Sequence, residues 1–163
     1  IDQKEIKTFQ KTSDQWWDEN GPFKPLHKLN PTRISYLKQQ VCNYYDRDFN
    51  DMNALKKLSI LDIGCGGGLG CEPLTRLGAN VTGIDADNQA IEVAQTHAKQ
   101  NDLKIDYKSM ASEDLVKKKK QFDVVLALEI IEHVKTPEAF VESVIKLVKP
   151  GGLIIFSSLN RNP

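Results

Sequence analysis

Glycine recurs at 64, 66 and 68 between two short apolar runs: Ser59-Ile60-Leu61 stands before the turn, and Val81 to Ile84 follows it and ends in Asp85. This arrangement constrains the chain to a parallel α/β fold. Backbone passes close under a nucleoside at the glycine turn, and a carboxylate at the end of the next strand takes the ribose hydroxyls. Gly64 and Gly66 fit a dinucleotide-binding loop, but its third glycine would fall at 69, where the chain has Leu69. The alternative is an acidic-x-Gly-x-Gly-x-Gly loop headed by Asp62.

The rest of the chain repeats the alternation. Strands are expected at 60–63, 80–84, 105–108, 122–128 and 153–158, with helices at 69–77, 88–100 and 113–119 and another starting at Thr136-Pro137. Phe122 to Leu128 is a nearly continuous apolar run, as in a strand covered on both faces. Ile91, Ala94 and Ala98 share one helix face, as do Phe140, Val144, Leu147 and Val148. Lys149-Pro150-Gly151-Gly152 reads as a turn into the last strand. Strands alternating with helices predict a parallel sheet with helices on both faces and a ligand at the carboxyl ends of the central strands. Upstream, residues 3–18 read as a helix, Asn20 to Asn30 as a loop, and Asn30-Pro31 as the start of the next helix, with Ile34, Leu37 and Val41 on its apolar face. Residues 46–58 read as a polar connection. The organisation expected is a single domain, with N-terminal helices and a lid segment over 1–46 and the nucleoside-binding core over 47–163.

Composition excludes some classes of function. The 163 residues suffice for one domain with a buried core, and 22 basic residues balance 22 acidic ones, so no overall field favours nucleic acid. Lys117 to Lys120 reads as a solvated run. Three cysteines, Cys42, Cys65 and Cys71, without a Cys-x-x-Cys pair, argue against zinc and against a disulfide framework. No apolar run reaches membrane-spanning length.

Three blocks resemble the ubiquinone-biosynthesis O-methyltransferases. They are Trp16-Trp17-Asp18-Glu19-Asn20-Gly21-Pro22-Phe23-Lys24-Pro25-Leu26-His27-Lys28-Leu29-Asn30-Pro31-Thr32-Arg33, then Leu61 to Asp85, then Glu129-Ile130-Ile131-Glu132-His133-Val134 with Leu147 to Gly152 and Ser157 to Asn162 downstream. The glycine block and the Lys-Pro-Gly-Gly turn are common to many S-adenosylmethionine-dependent methyltransferases. The first block and the Leu159-Asn160-Arg161-Asn162 ending are narrower and carry the resemblance. It implies a Rossmann-like class I methyltransferase fold, S-adenosylmethionine as cofactor, magnesium dependence, and methylation of a polyprenylated catechol hydroxyl. It also implies peripheral contact with a membrane and with other ubiquinone-biosynthesis proteins. The setting would be the cytoplasmic face of the inner membrane in a bacterium, or the matrix side in a mitochondrion. Such enzymes add a C-terminal hairpin beyond the fifth strand, so a C-terminally truncated piece is expected here.

Roles follow residue by residue from their chemistry and spacing, with that of Arg33 and the magnesium dependence implied by the resemblance. Gly64, Gly66 and Gly68 let backbone approach the methionine part of the cofactor. Asp62 holds its ammonium or serves as a structural cap. Asp85 takes the ribose hydroxyls or caps the next helix, a task Asp87 or Asn88 can also perform. Arg33 binds the cofactor carboxylate through two parallel hydrogen bonds, or forms a surface ion pair. Ala111 and Ser112 stand where many methyltransferases place an acid against adenine, so backbone and apolar walls would replace it. Leu128 contacts the cofactor or packs in the core. Glu129, Glu132 and His133 share a helical face and bind a divalent ion, with the metal or His133 removing the catechol proton. Alternatively Glu129 and His133 shape the cleft and Glu132 is solvated. Trp16, Trp17, Phe23 and His27 form a lid, pack on the first helix, or contact a membrane. His97, on a polar helix face, is expected to face solvent.

Rival readings are a methyltransferase for another small molecule, a nucleotide-dependent oxidoreductase, and a cofactor-binding module without activity.

Overall fold

Ile60 and Leu61 are sequence neighbours that pack into different cores, as alternate residues of a strand must. The same split separates Val124 and Leu126 from Val125 and Ala127. A computed structural model describes residues 15–157, apart from the Glu132 side chain. Its five strands are β1 (Ser59–Ile63), β2 (Asn80–Asp85), β3 (Asp106–Ser109), β4 (Phe122–Leu128) and β5 (Val148–Ser157). They pair in parallel in the order β3-β2-β1-β4-β5. The helices are α1 (Lys24–Tyr45), α2 (Cys71–Arg76), α3 (Asn88–Gln100), α4 (Ser112–Val116) and α5 (Pro137–Leu147), and residues 15–17 form a further helical turn.

Helices cover both faces of the sheet. Leu37 and Val41 of α1, Leu74 of α2 and Ile91 and Ala94 of α3 close the first core. Leu115 of α4 and Phe140, Val144 and Leu147 of α5 close the second. The chain winds from β1 outward to β3, then returns to β4 on the other side of β1. That reversal creates a crevice at the carboxyl ends of β1 and β4, where ligands of such sheets bind.

Helices α3 and α5 start at Asn88 and Pro137, as the sequence predicts, and β4 spans Phe122–Leu128 as expected. Asp87, in extended backbone, caps α3 by accepting from the Gln89 and Ala90 amides.

Four expectations need correction. The segment read as a loop over 20–30 is already helical from Lys24, with Pro25 in the first turn and Pro31 inside α1. Proline suits a first turn because its missing N–H has no partner there. Pro31 forfeits the bond to the His27 carbonyl, and an interior proline costs about 3 kcal/mol. Leu37, Val41 and Cys42, each 1% exposed, more than offset that, at roughly 1.5–3 kcal/mol for each large side chain buried. The connection over 46–58 is not simply polar: Ala54, Leu55 and Leu58 are buried in the first core. Lys149 to Gly152 is a bulge within β5 rather than a turn before it, since Phe122 pairs with Val148 and Val124 with Leu153. Gly151 takes φ 77° there, and the Tyr44 hydroxyl donates to its carbonyl at 2.5 Å. His97 does not face solvent; its surroundings are given below. Most of the helix expected over 3–18, and the Leu-Asn-Arg-Asn ending, lie outside the described residues.

Candidate functional site

The carboxyl ends of β1, β2 and β4 open onto a cleft of about 390 Å³. Gly64, Asp85, Leu128 and Glu129 line it at or just past the strand ends, with Ala111, Ser112 and His133 from the segments that follow β3 and β4. Seven of the residues singled out in the sequence therefore meet in one place. A wider, shallow depression of about 640 Å³ lies at the amino ends of the strands, beside Asn80, Ile105 and Phe122, and holds none of them.

Gly64 begins the turn with φ 77°, and a Cβ there would lie 2.7 Å from Ile130 Cδ1, so only glycine leaves this wall open. The Gly66 amide donates to Asp85 Oδ2 at 2.8 Å, and Asp85 Oδ1 accepts from the Asp87 amide at 2.9 Å. Asp85 thus ties the glycine loop to the end of β2, while Asp87 caps α3. Each Asp85 oxygen keeps a lone pair for a ligand hydroxyl. Gly68 turns away from the cleft onto Tyr107 and Ala94.

Asp62 lies beneath the loop, 6% exposed. Burial pushes its carboxyl up to about 6, against the hydrogen bond from the Cys71 thiol at 3.5 Å and the Arg33 charge, which favour the ionised form. Asp85 adds to the rise. A hydrogen bond with Cys65, and then burial, hold the Cys71 thiol neutral, well above the ordinary range.

Arg33 projects from α1, and its guanidinium donates to Glu129 Oε1 at 2.7 Å. Glu129 sits just past β4 in left-handed backbone, φ 56°, with its amide donating to the Ser157 carbonyl at 2.7 Å. Non-glycine residues adopt that conformation at a cost, and such strain gathers at functional sites. The following turn, Ile131–His133, is a 3-10 turn rather than the α-helical turn assumed from spacing. Among the described residues no three His, Cys, Asp or Glu side chains are assembled to hold a metal. The Ser112 hydroxyl is engaged with Ser143 Oγ at 2.8 Å, so it supports the packing of α4 on α5 behind the cleft wall.

Aromatic side chains cover the loop. Trp16 stacks on Phe23 with centroids 4.0 Å apart and planes 9° apart, and its ring lies directly over Gly66 and Gly67. Trp17 Nε1 donates to the Gly67 carbonyl at 3.1 Å, His27 Nε2 lies 2.9 Å from the Trp16 carbonyl, and the Asn30 amide donates to the Leu69 carbonyl at 2.9 Å. Of the four residues read as a lid, Trp16 and Trp17 reach the glycine turn, and Phe23 and His27 pack on those two rings or their backbone.

Sequence reasoning missed two residues here. Glu72 is fully buried, and its Oε2 lies 2.6 Å from His97 Nδ1. The His97 ring stacks on Trp17, centroids 3.6 Å apart and planes 1° apart. Glu72 and His97 lie 25 positions apart, and nothing in the sequence places them opposite each other.

The family pattern for a methyltransferase domain matches residues 61–156, more than half of the chain. The chain belongs to the methyltransferase-domain family. It is 50% identical over all 163 residues to a ubiquinone biosynthesis O-methyltransferase of Roseobacter denitrificans, covering 66% of that protein. It is 49% identical over 161 residues to the Brucella ovis protein of the same name, covering 99% of this chain and 65% of the relative. The chain thus spans just under two thirds of the length of the curated relatives it matches. Those names agree with the resemblance read from the Trp16–Arg33 block. Among solved structures, the plantazolicin methyltransferase BpumL superposes with a TM-score of 0.67 at 20% identity, over 97% of this chain and 61% of that one. The magnesium protoporphyrin IX methyltransferase of Synechocystis PCC 6803 superposes with a TM-score of 0.66 at 20% identity, over 91% of this chain and 73% of that one. At that identity both likenesses concern the fold, which is the class I S-adenosylmethionine-dependent methyltransferase fold expected from the strand–helix alternation.

Proposed function

We propose that the protein is an S-adenosylmethionine-dependent O-methyltransferase that methylates a hydroxyl of a polyprenylated catechol in ubiquinone biosynthesis. The carrying observation is the convergence of Gly64, Asp85, Leu128 and Glu129 on one cleft at the β1/β4 reversal. The donor set suits the cofactor. Asp85 offers acceptors to the ribose hydroxyls. Gly64 leaves room for the methionine backbone. Asp62 is a buried carboxylate within the electrostatic reach of Arg33, able to balance an ammonium. Arg33 turns to the cofactor carboxylate when Glu129 releases it. Ala111 and Leu128 supply the apolar walls, with Ser112 behind them.

When bound, the cofactor supplies an activated sulfonium methyl. The work left to the protein is alignment, which contributes about 7–11 kcal/mol when reactants are held in line. The exposed His133, on the rim of the same cleft, takes the catechol proton as general base. Magnesium belongs to the proposal through Glu129, Glu132 and His133. Glu129 is held by Arg33, and no three-ligand cluster is assembled among the described residues, so no step is routed through the ion. Peripheral contact with a membrane, at the cytoplasmic face in a bacterium or the matrix side in a mitochondrion, is part of the proposal; no helix of the described residues is long and apolar enough to cross a membrane.

The test is turnover on catechols with and without a polyprenyl tail, in a chain as long as the relatives, with methyl-labelled cofactor and a magnesium titration. Preferred methylation of the tailed compound supports the proposal. Equal methylation of a simple soluble catechol removes the substrate assignment.

A further inference from the structure

Glu72 lies outside the cleft and outside every role assigned above. It is 0% exposed in the first turn of α2, directly after the glycine loop. An ionised carboxylate in that position is costly unless its partners are well placed. Arg76 approaches Oε1 only to 3.5 Å from an exposed side chain. The close partner is His97 of α3, with Nδ1 at 2.6 Å from Oε2. Asn101 steadies the same histidine, donating to its carbonyl at 2.8 Å and lying 3.3 Å from Nδ1. An imidazole pinned at one nitrogen cannot turn freely, so its faces are fixed in space.

One fixed face carries Trp17. The rings are parallel within 1° and 3.6 Å apart between centroids, and they come from segments about eighty positions apart in the sequence. The other end of the same indole donates to the Gly67 carbonyl at 3.1 Å. Trp17 is therefore clamped between α3 and the glycine loop, and Trp16 beside it lies over Gly66 and Gly67.

We infer that Glu72 and His97 form a latch that seats the aromatic segment over the glycine loop, making His97 and Trp17 positioning residues for the bound cofactor. The inference rests on the proposal that this loop holds S-adenosylmethionine. Glu72 fixes the imidazole, the imidazole fixes the indole, and the indole holds the lid against the loop. Opening the latch frees the lid and shortens the residence of the cofactor. None of the latch residues lines the cleft itself, so the effect passes entirely through Trp17.

A double-mutant cycle on affinity for S-adenosylhomocysteine tests this, using His97→Ala, Trp17→Ala and the pair. Each single variant is expected to weaken binding about tenfold, as for loss of one aromatic stack with its hydrogen bond, and the double variant by about the same tenfold rather than about a hundredfold. Trp17→Phe keeps the stacked face without the N–H, so its loss should be smaller than that of Trp17→Ala. His97→Gln retains a donor for Glu72 and guards against a folding defect; it should lose the affinity while keeping the melting temperature closer to that of the unaltered protein. In a Trp16→Phe background the remaining indole reports directly: its emission should rise when His97 is replaced, because the stacked ring no longer quenches it. Unchanged affinity in folded His97 variants, or losses that multiply in the double variant, would overturn the latch while leaving the cofactor proposal standing. If the unaltered protein binds no S-adenosylhomocysteine, the cofactor proposal fails, and the positioning role fails with it.

Discussion

The two sides of the cleft are built differently. On the β1/β2 side, backbone amides, a strand-end carboxylate and stacked aromatic rings hold the glycine loop from above and below. Asp85 accepts from Gly66 and Asp87, Trp17 donates to Gly67, and Trp16 covers the turn. On the β4 side, the wall from Glu129 to His133 depends on one ion pair to α1 and a residue in left-handed backbone. The first side is preformed by its Asp85 and Trp17 contacts. The second places the Glu129 carboxylate on left-handed backbone and the exposed His133 imidazole at the end of a 3-10 turn.

Breaking the rigid side should have the largest effect. Asp85→Ala removes both acceptors proposed for the ribose and the anchor of the Gly66 amide. Affinity for S-adenosylhomocysteine should fall about a hundredfold, near 3 kcal/mol, as expected when two hydrogen bonds to a charged acceptor are lost. Calorimetry measures it, and a change below about threefold would contradict the assignment.

Asp62→Asn sharpens the same side through pH. Burial raises the folded carboxyl from 3.8 to about 6. The neutral form is therefore the one the fold prefers. Its stabilising contribution is complete below the unfolded value and is lost as pH rises through about 6. Wild type and Asp62→Asn should melt together near pH 3.5, whereas at pH 8 the variant should be more stable by about 2–3 kcal/mol. The same variant should bind the cofactor more weakly, since the ammonium loses its counter-charge. Thermal melts at both pH values and one titration decide it.

On the adaptable side the effects should be smaller. Arg33→Lys keeps the charge but loses the fork, and affinity for the cofactor should fall about tenfold. Stability should change by less than about 1 kcal/mol, because both partners of its ion pair are partly exposed, at 22% and 25%. Glu129→Gly should raise stability by about 1 kcal/mol by relieving the left-handed backbone. A denaturant melt that shows destabilisation would refute the strain argument.

The two sides also differed in how readable they were. The glycine loop, Asp85 and the strand–helix alternation are local patterns, with spacing set by backbone geometry, so the fold and the rigid wall were legible from residues alone. The aromatic lid was legible as a set of residues, though not as contacts. The Arg33–Glu129 pair joins positions 96 apart, and no periodicity encodes it. His97 was misread because it sits in a polar helical context, and Glu72 carried no signal at all. Only the packing of α3 beside α2 turns those polar positions inward. The early start of α1 was hidden by Pro25 and Pro31, which spacing rules read as a loop and a fresh start, whereas burial of Leu37 and Val41 carries the helix through.

Calorimetric titration with S-adenosylhomocysteine, with and without magnesium and with NAD as control, tests the central claim most directly. Binding in roughly the micromolar range, about 8 kcal/mol, by S-adenosylhomocysteine and not by NAD is the result expected of this cleft. A folded protein that takes up NAD and leaves S-adenosylhomocysteine unbound would contradict the assignment of the glycine loop and of Asp85.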